Sequence, residues 1–141
     1  MDTTTHLQAF LNGLIQRDAA SLTEHIADNV KIKSPIVEAA FDGKTRAAAV
    51  FSVILSVVDR VELVELITNT PRAVAFLSLE VSAAQLDGVL DIHLDESGLI
   101  ERLTIFWRPL PAMVLAQQKI APLIGMPAMQ LVAMDAAASA H

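Results

Sequence analysis

The spacing of apolar residues changes near Asp59, and this change limits the possible folds more than any other feature of the chain. Before Asp59, apolar residues recur at intervals of three and four, which predicts amphipathic helices at residues 7–15 and 45–58. After it, four strand-like segments are separated by short turns, at residues 61–67, 72–82, 86–95 and 99–107. Successive strands with short connections predict an antiparallel meander.

Shorter signals lie on both sides of this boundary. Ser21 and Glu24 have the spacing of a capping box, which predicts the start of a short second helix. A brief strand is expected at residues 30–33, and Pro109 suits the first turn of a C-terminal helix that ends at Gly125. Helices, a meander and a final helix together predict an α+β fold.

The length of the chain fits one domain. A chain of 141 residues can bury a single core of ordinary size. We assign residues 1–125 to one α+β domain and residues 126–141 to a C-terminal extension, which is apolar as far as Met134 and alanine-rich beyond it. We expect this extension to be partly disordered or packed on a partner.

Composition excludes several classes of function. The chain has no cysteine, which excludes a disulfide scaffold and thiolate metal sites, and its net charge of -6 provides no basic field for nucleic acid. Hydrophobic residues make up 53%, but the longest uncharged stretch, residues 120–134, is shorter than the ~20 residues of a membrane span. No phosphate-binding, metal-binding or leader motif is present. We therefore expect a cytoplasmic protein with no cofactor, metal, nucleic-acid or membrane partner.

Four local phrases resemble those of one known superfamily. They are DAASL with HIADNV at residues 18–30, FDGK at 41–44, LDESGLI at 94–100, and FWRP at 106–109. In this order they resemble the nuclear transport factor 2-like superfamily, which includes ketosteroid isomerase and the SnoaL-like polyketide cyclases. The resemblance implies a cone, in which a curved antiparallel sheet packs against three N-terminal helices with an additional C-terminal helix. It also implies a pocket for a small hydrophobic molecule and a homodimer across the outer face of the sheet.

The same resemblance suggests which residues line the pocket. They are Phe10, Ile26, Phe76, Ser78, Leu103 and Trp107. Most are bulky and apolar, as the walls of small-molecule cavities usually are. The alternative is that these side chains are packed core residues without contact to a ligand.

Ketosteroid isomerase itself is not expected here. The position of its catalytic tyrosine corresponds to Phe10, which donates no hydrogen bond, and the position of its carboxylate base corresponds to Ser34. Asp91 and Asp87 are the remaining candidates for an acid or base. The alternative is a solvated acidic face on a half-buried strand, with Asp87 in a turn. His93 beside them is weak evidence for a metal.

Two functions therefore remain open. The first is a hydrophobic-molecule pocket protein, with proton-transfer catalysis of the isomerase, dehydratase or cyclase class by Asp91 or Asp87. The second is a non-catalytic ligand-binding or dimeric interaction module on the same fold. His25 is either a proton carrier at the mouth of the cavity or a surface contact between helices.

Overall fold

The computed structural model describes residues 4–130 of the chain. They form four α-helices, six strands and a final 3-10 helix. In chain order the elements are α1 (Thr5–Ile15), α2 (Ala19–Thr23), β1 (Ile26–Lys33), β2 (Phe41–Asp42), α3 (Lys44–Val57), β3 (Arg60–Asn69), β4 (Arg72–Val81), β5 (Ala84–Leu94), β6 (Ile100–Arg108), α4 (Leu110–Ile120) and the 3-10 helix (Ala121–Ile124).

All six strands belong to one open, curved sheet with the order β2-β1-β6-β5-β4-β3. Strands β3 to β6 form the predicted antiparallel meander, so the α+β fold is confirmed. The sheet is mixed, because β1 pairs with β6 in parallel, with Ile32 beside Leu103 and Lys33 beside Thr104. Strand β1 also begins at Ile26, four residues before the predicted start.

The two faces of the sheet differ in burial. In β4 the odd-numbered residues from Ala73 to Val81 are buried, and in β5 the even-numbered residues from Leu86 to Leu94 are buried. They pack in one core with apolar residues of α1, α3 and α4, so we call this side the inner face. The other side, which carries Asp87, is the outer face, as the alternation along this strand predicts.

Strand β3 is the last strand of the sheet and is interrupted by a bulge. Its pairing with β4 shifts in register between Leu63 and Glu65, and Val64 between them is 67% exposed. A bulge adds local bend and twist to a strand, and this one lies in the curved sheet.

Helices α1 and α2 approach each other very closely. The point of contact is Gly13, where an added Cβ atom would lie 2.8 Å from the Leu22 Cβ and 3.1 Å from the Leu22 nitrogen. The predicted capping box at Ser21 is wrong. Asp18 caps α2 instead, because its backbone is extended and its carboxylate accepts the Ser21 N–H at 3.1 Å.

The C-terminal helix α4 is tied to the segment that follows it. Gln117 is buried, donates from Nε2 to the Pro127 carbonyl at 3.0 Å, and accepts the Met129 N–H at 2.7 Å. Gln118 donates to the Met129 carbonyl at 2.8 Å. Two residues of the predicted extension, Pro127 and Met129, are thus hydrogen-bonded to α4. Residues 131–141 lie outside the described part of the chain.

Residues 4–130 include no helix that is both long and apolar enough to cross a membrane.

Candidate functional site

An apolar cleft lies between the inner face of the sheet, helix α3 and the C-terminal helices. Its exposed lining is entirely apolar. The lining residues come from the β1–β2 connection, β2, α3, β6 and the chain's C-terminal elements: Ser34, Pro35, Ile36, Val37, Phe41, Val50, Val53, Ile54, Trp107, Ile120 and Ile124. None of these residues carries a titratable side chain, so the cleft offers apolar contact and no acid or base.

The cleft is nearly filled by its own walls. The space between its atoms is about 340 Å³, part of which is open solvent, but only about 20 Å³ admits the centre of a water molecule. A single water needs roughly 10–15 Å³ by this measure, so the cleft has room for about one water-sized guest. A larger molecule enters only if part of the wall moves.

Residues 34–37, here called the cover segment, line the cleft and are half-buried. They also line an open groove of about 570 Å³, which shares Trp107 with the cleft. The Ser34 hydroxyl oxygen accepts the N–H groups of Ile36 at 3.2 Å and Val37 at 3.0 Å. These bonds hold the segment in a short turn. The Ser34 hydroxyl oxygen therefore shapes the backbone of the cover segment.

Trp107, the single tryptophan of the chain, lies on the inner face beside a glycine. Gly88 is its cross-strand partner, and a Cβ atom on Gly88 would lie 3.3 Å from the indole and 2.8 Å from Leu79. The missing side chain leaves room for the indole. Trp107 is 9% exposed and contributes to both the cleft and the neighbouring groove.

The six residues suggested for the pocket wall do not lie together. Trp107 lines the cleft. Phe10, Ile26 and Leu103 are almost fully buried, and the Phe10 ring meets Phe51 edge to face at 5.7 Å between centroids. Phe76 and Ser78 alternate with the buried residues of β4 and so lie on the outer face.

The two candidate acid–base residues lie on the outer face and are paired with arginines. Asp87 accepts from Arg108 at 2.7 Å, and both side chains are more than half exposed. Asp91 accepts from Arg72 at 2.8 Å, with His93 Nε2 at 3.7 Å. Neither aspartate lines the apolar cleft. Their assignment as catalytic groups stays a prediction.

His25 contacts helix α1 and does not line the cleft. Its Nδ1 lies 3.0 Å from Nδ1 of His6. Burial lowers the pKa of His25, and the charge of His6 lowers it further. In residues 4–130 no cluster of three or more histidine, aspartate or glutamate side chains has the geometry to hold a metal ion.

The sequence predictions missed most of the cleft. The cover segment and the α3 residues Val50, Val53 and Ile54 had not been assigned to a site. One feature of the sequence did indicate the cleft: α3 carries more apolar residues than are needed to contact the core. Phe51 and Leu55 are buried in the core, whereas Val50 and Val53 are only partly buried.

Comparison with known proteins gives a consistent fold. No protein-family model and no curated protein matches the sequence. Among solved structures, a steroid delta-isomerase from Pseudomonas aeruginosa is 16% identical with a TM-score of 0.80, over 87% of this chain and 91% of that one. An uncharacterised cystatin-like protein from Silicibacter pomeroyi is 16% identical with a TM-score of 0.82, over 86% of each chain.

An NTF2-like protein of unknown function from Cytophaga hutchinsonii is 13% identical with a TM-score of 0.65, over 80% of this chain and 96% of that one. At these identities the likeness concerns the backbone and leaves the chemistry open. Together with the curved sheet and its helical layer, it shows that the chain has the nuclear transport factor 2-like fold.

Proposed function

We propose that this protein binds a small hydrophobic molecule in the apolar cleft and does not transform it. The observation that carries the proposal is a lining made only of apolar surface around Trp107. Apolar pockets with few polar groups are typical small-molecule sites. A ligand there gains free energy from the apolar area that it removes from water, at about 25 cal/mol per Å².

Catalysis is disfavoured by the chemistry of the same cleft. Proton transfer needs a group within hydrogen-bond reach that exchanges a proton near neutral pH. The cleft has no such side chain, and the Ser34 hydroxyl oxygen already accepts two backbone N–H groups. Asp91 and Asp87 would have to act on the outer face, where arginines neutralise them.

Binding requires the cover segment to move. The present room of about 20 Å³ is too small for a metabolite, and the groove beyond the segment is wide. Pro35, Ile36 and Val37 are only partly buried, so their displacement exposes less apolar area than the opening of the main core. The ligand therefore takes over the apolar contacts that the cover segment makes with the rest of the cleft.

A titration with straight-chain alcohols, from butanol to decanol, tests the proposal. We expect the fluorescence emission of Trp107 to change until the cleft is saturated. At a ligand concentration 100 times the dissociation constant, the Tm should rise by about 8–11 °C. Val53→Phe fills the cleft and should abolish both effects. Val64→Phe, at an exposed valine of β3, is the matched control and should retain them. Unchanged emission and Tm with every alcohol would contradict the proposal, as would equal loss in both variants.

We also propose that the outer face forms a homodimer. A patch of apolar side chains crosses four strands there: Ile67, Val74, Phe76, Val89 and Phe106. Phe106 is 55% exposed and Ile67 is 51% exposed. Contiguous apolar patches on a sheet face are unusual without a partner, and a twofold axis lets the same patch cover itself.

The ion pairs beside this apolar patch are compatible with its burial against a second copy of the chain. Asp87 and Asp91 are each paired with an arginine of their own chain, which reduces the cost of removing them from water. Light scattering at micromolar concentration should give the mass of two chains. Phe106→Lys should give a monomer, and Leu123→Lys, at an exposed leucine near α4, should not. A wild-type monomer would contradict the proposal.

A further inference from the structure

Three basic side chains gather at one corner of the outer face, and none of them forms an ion pair with another residue of the described chain. Lys31 and Lys33 of β1 and Arg102 of β6 line a concavity with a volume of about 520 Å³. We call these three residues the basic corner. The concavity is also bordered by Thr104, His93 and Asp91 on the sheet, and by Ala40 at the end of the β1–β2 connection. The concavity is therefore bounded by the sheet on one side and by the end of the β1–β2 connection on another.

The strand pairing forces like charges together. Lys31 is the cross-strand partner of Arg102, and Lys33 is that of Thr104. Partners on one face of a sheet lie close enough for like charges to destabilise the pairing. The nearby carboxylates do not cancel these charges. Asp91 is paired with Arg72, and Asp42, which is opposite Lys31 on β2, lies beyond ion-pair distance of it.

Elsewhere on this face the arginines are matched. Arg60, Arg72 and Arg108 each form an ion pair with a carboxylate of the same face. Across residues 4–130, no ion pair within 4.0 Å involves a member of the basic corner. An uncompensated cluster of cations is unexpected in a chain with net charge -6, because acidic partners are abundant.

We propose that the basic corner binds a multiply charged oxyanion, the phosphate or carboxylate groups of a small molecule. Arg102 offers a planar pair of N–H donors that matches such groups, and the two lysines add point charges. Thr104 adds a hydroxyl donor beside them. Because the site is concave, a compact anion fits it better than the flat face of another sheet would. This site lies on the opposite side of the sheet from the apolar cleft, so each proposal stands without the other.

Calorimetric titration with inorganic pyrophosphate at low ionic strength tests this site. We expect one site per chain, and an affinity that falls as sodium chloride is added, because salt screens exposed charges. Lys31→Gln or Arg102→Gln should each weaken binding by up to about fivefold, the upper end of the range for exposed charge pairs. The double variant should weaken binding by up to about 25-fold, the product of the two single effects. Lys44→Gln with Arg46→Gln, which removes two cations of α3, is the matched control and should leave binding unchanged.

A second measurement separates binding from folding. Because Lys31 and Arg102 repel each other, Lys31→Gln should melt at the same temperature as the wild type or higher when no anion is present. Pyrophosphate at a fixed concentration should raise the Tm of the wild type more than that of the double variant. The proposal is overturned if pyrophosphate produces no heat and no Tm shift, or if the double variant binds as well as the control. It is also overturned if the double substitution dissociates a dimer, since the corner would then be occupied by acidic residues of a second copy.

Discussion

Replacing Gly13 with alanine tests the contact between α1 and α2. In an isolated helix this change would stabilise by about 1 kcal/mol, because glycine is the poorer helix former. Here the new Cβ atom would lie 2.8 Å from the Leu22 Cβ and 3.2 Å from the Leu22 Cα. Carbon atoms prefer a separation of roughly 3.5–4.0 Å, so the two helices would have to separate by up to about 1 Å.

The contact includes backbone atoms, which cannot rotate away as the end of a side chain does. Overpacking of this kind costs about 1–3 kcal/mol, and we take the upper part of that range. After the gain in helix propensity, Gly13→Ala should destabilise the protein by about 1–2 kcal/mol. For a chain of this size that lowers Tm by roughly 3–8 °C.

Urea unfolding monitored by circular dichroism measures the change. The midpoint should fall with an unchanged slope, because the surface exposed on unfolding is the same. Asn12→Ala, at an exposed position of α1, is the control and should be neutral or slightly stabilising. A Gly13→Ala variant as stable as the wild type would refute the steric reasoning and leave helix propensity as the dominant effect.

Three further substitutions test other contacts. Gly88→Ala should displace the end of the Leu79 side chain and press on the Trp107 indole, which should shift the emission maximum and lower stability by about 1–2 kcal/mol. Folding lowers the pKa of His25, so the unfolded chain binds the proton at a higher pH than the folded chain does. The free energy of unfolding should therefore fall as the pH drops below 6.5. This pH dependence should be smaller in His25→Gln. Gln117→Ala leaves the Met129 N–H and the Pro127 carbonyl without their partner; hydrogen exchange at Met129 should accelerate while the rest of the core is unchanged.

Most of the fold could be predicted because its signals are local. Helical spacing in α1 and α3, and the short turns between β3 and β6, depend on neighbouring residues only. The parallel pairing of β1 with β6 could not be predicted in this way, since the two strands are far apart in sequence. The cap of α2 was misplaced because Asp18 and Ser21 are both good capping residues, and the backbone angles choose between them.

The site was harder to predict than the fold. Both faces of β4 carry apolar residues, so the sequence does not indicate which side meets the helices. The structure buries Ala73 and Ala75 and leaves Phe76 on the outer face. The cleft depends on how the cover segment folds over α3, which is a tertiary contact without a sequence signature. Of the six residues suggested by the superfamily resemblance, Trp107 is the one that lines the cleft.

The bulge in β3 has a consequence for aggregation. β3 is the last strand of the sheet, and a regular strand with a free side can template the addition of strands from other molecules into fibres. Val64 interrupts the ladder, and Glu62 and Glu65 place charge on either side of it. Deleting Val64 would bring Leu63 and Glu65 into an unbroken pairing with Leu77 and Phe76, and so convert a protected edge into one open to polymerisation.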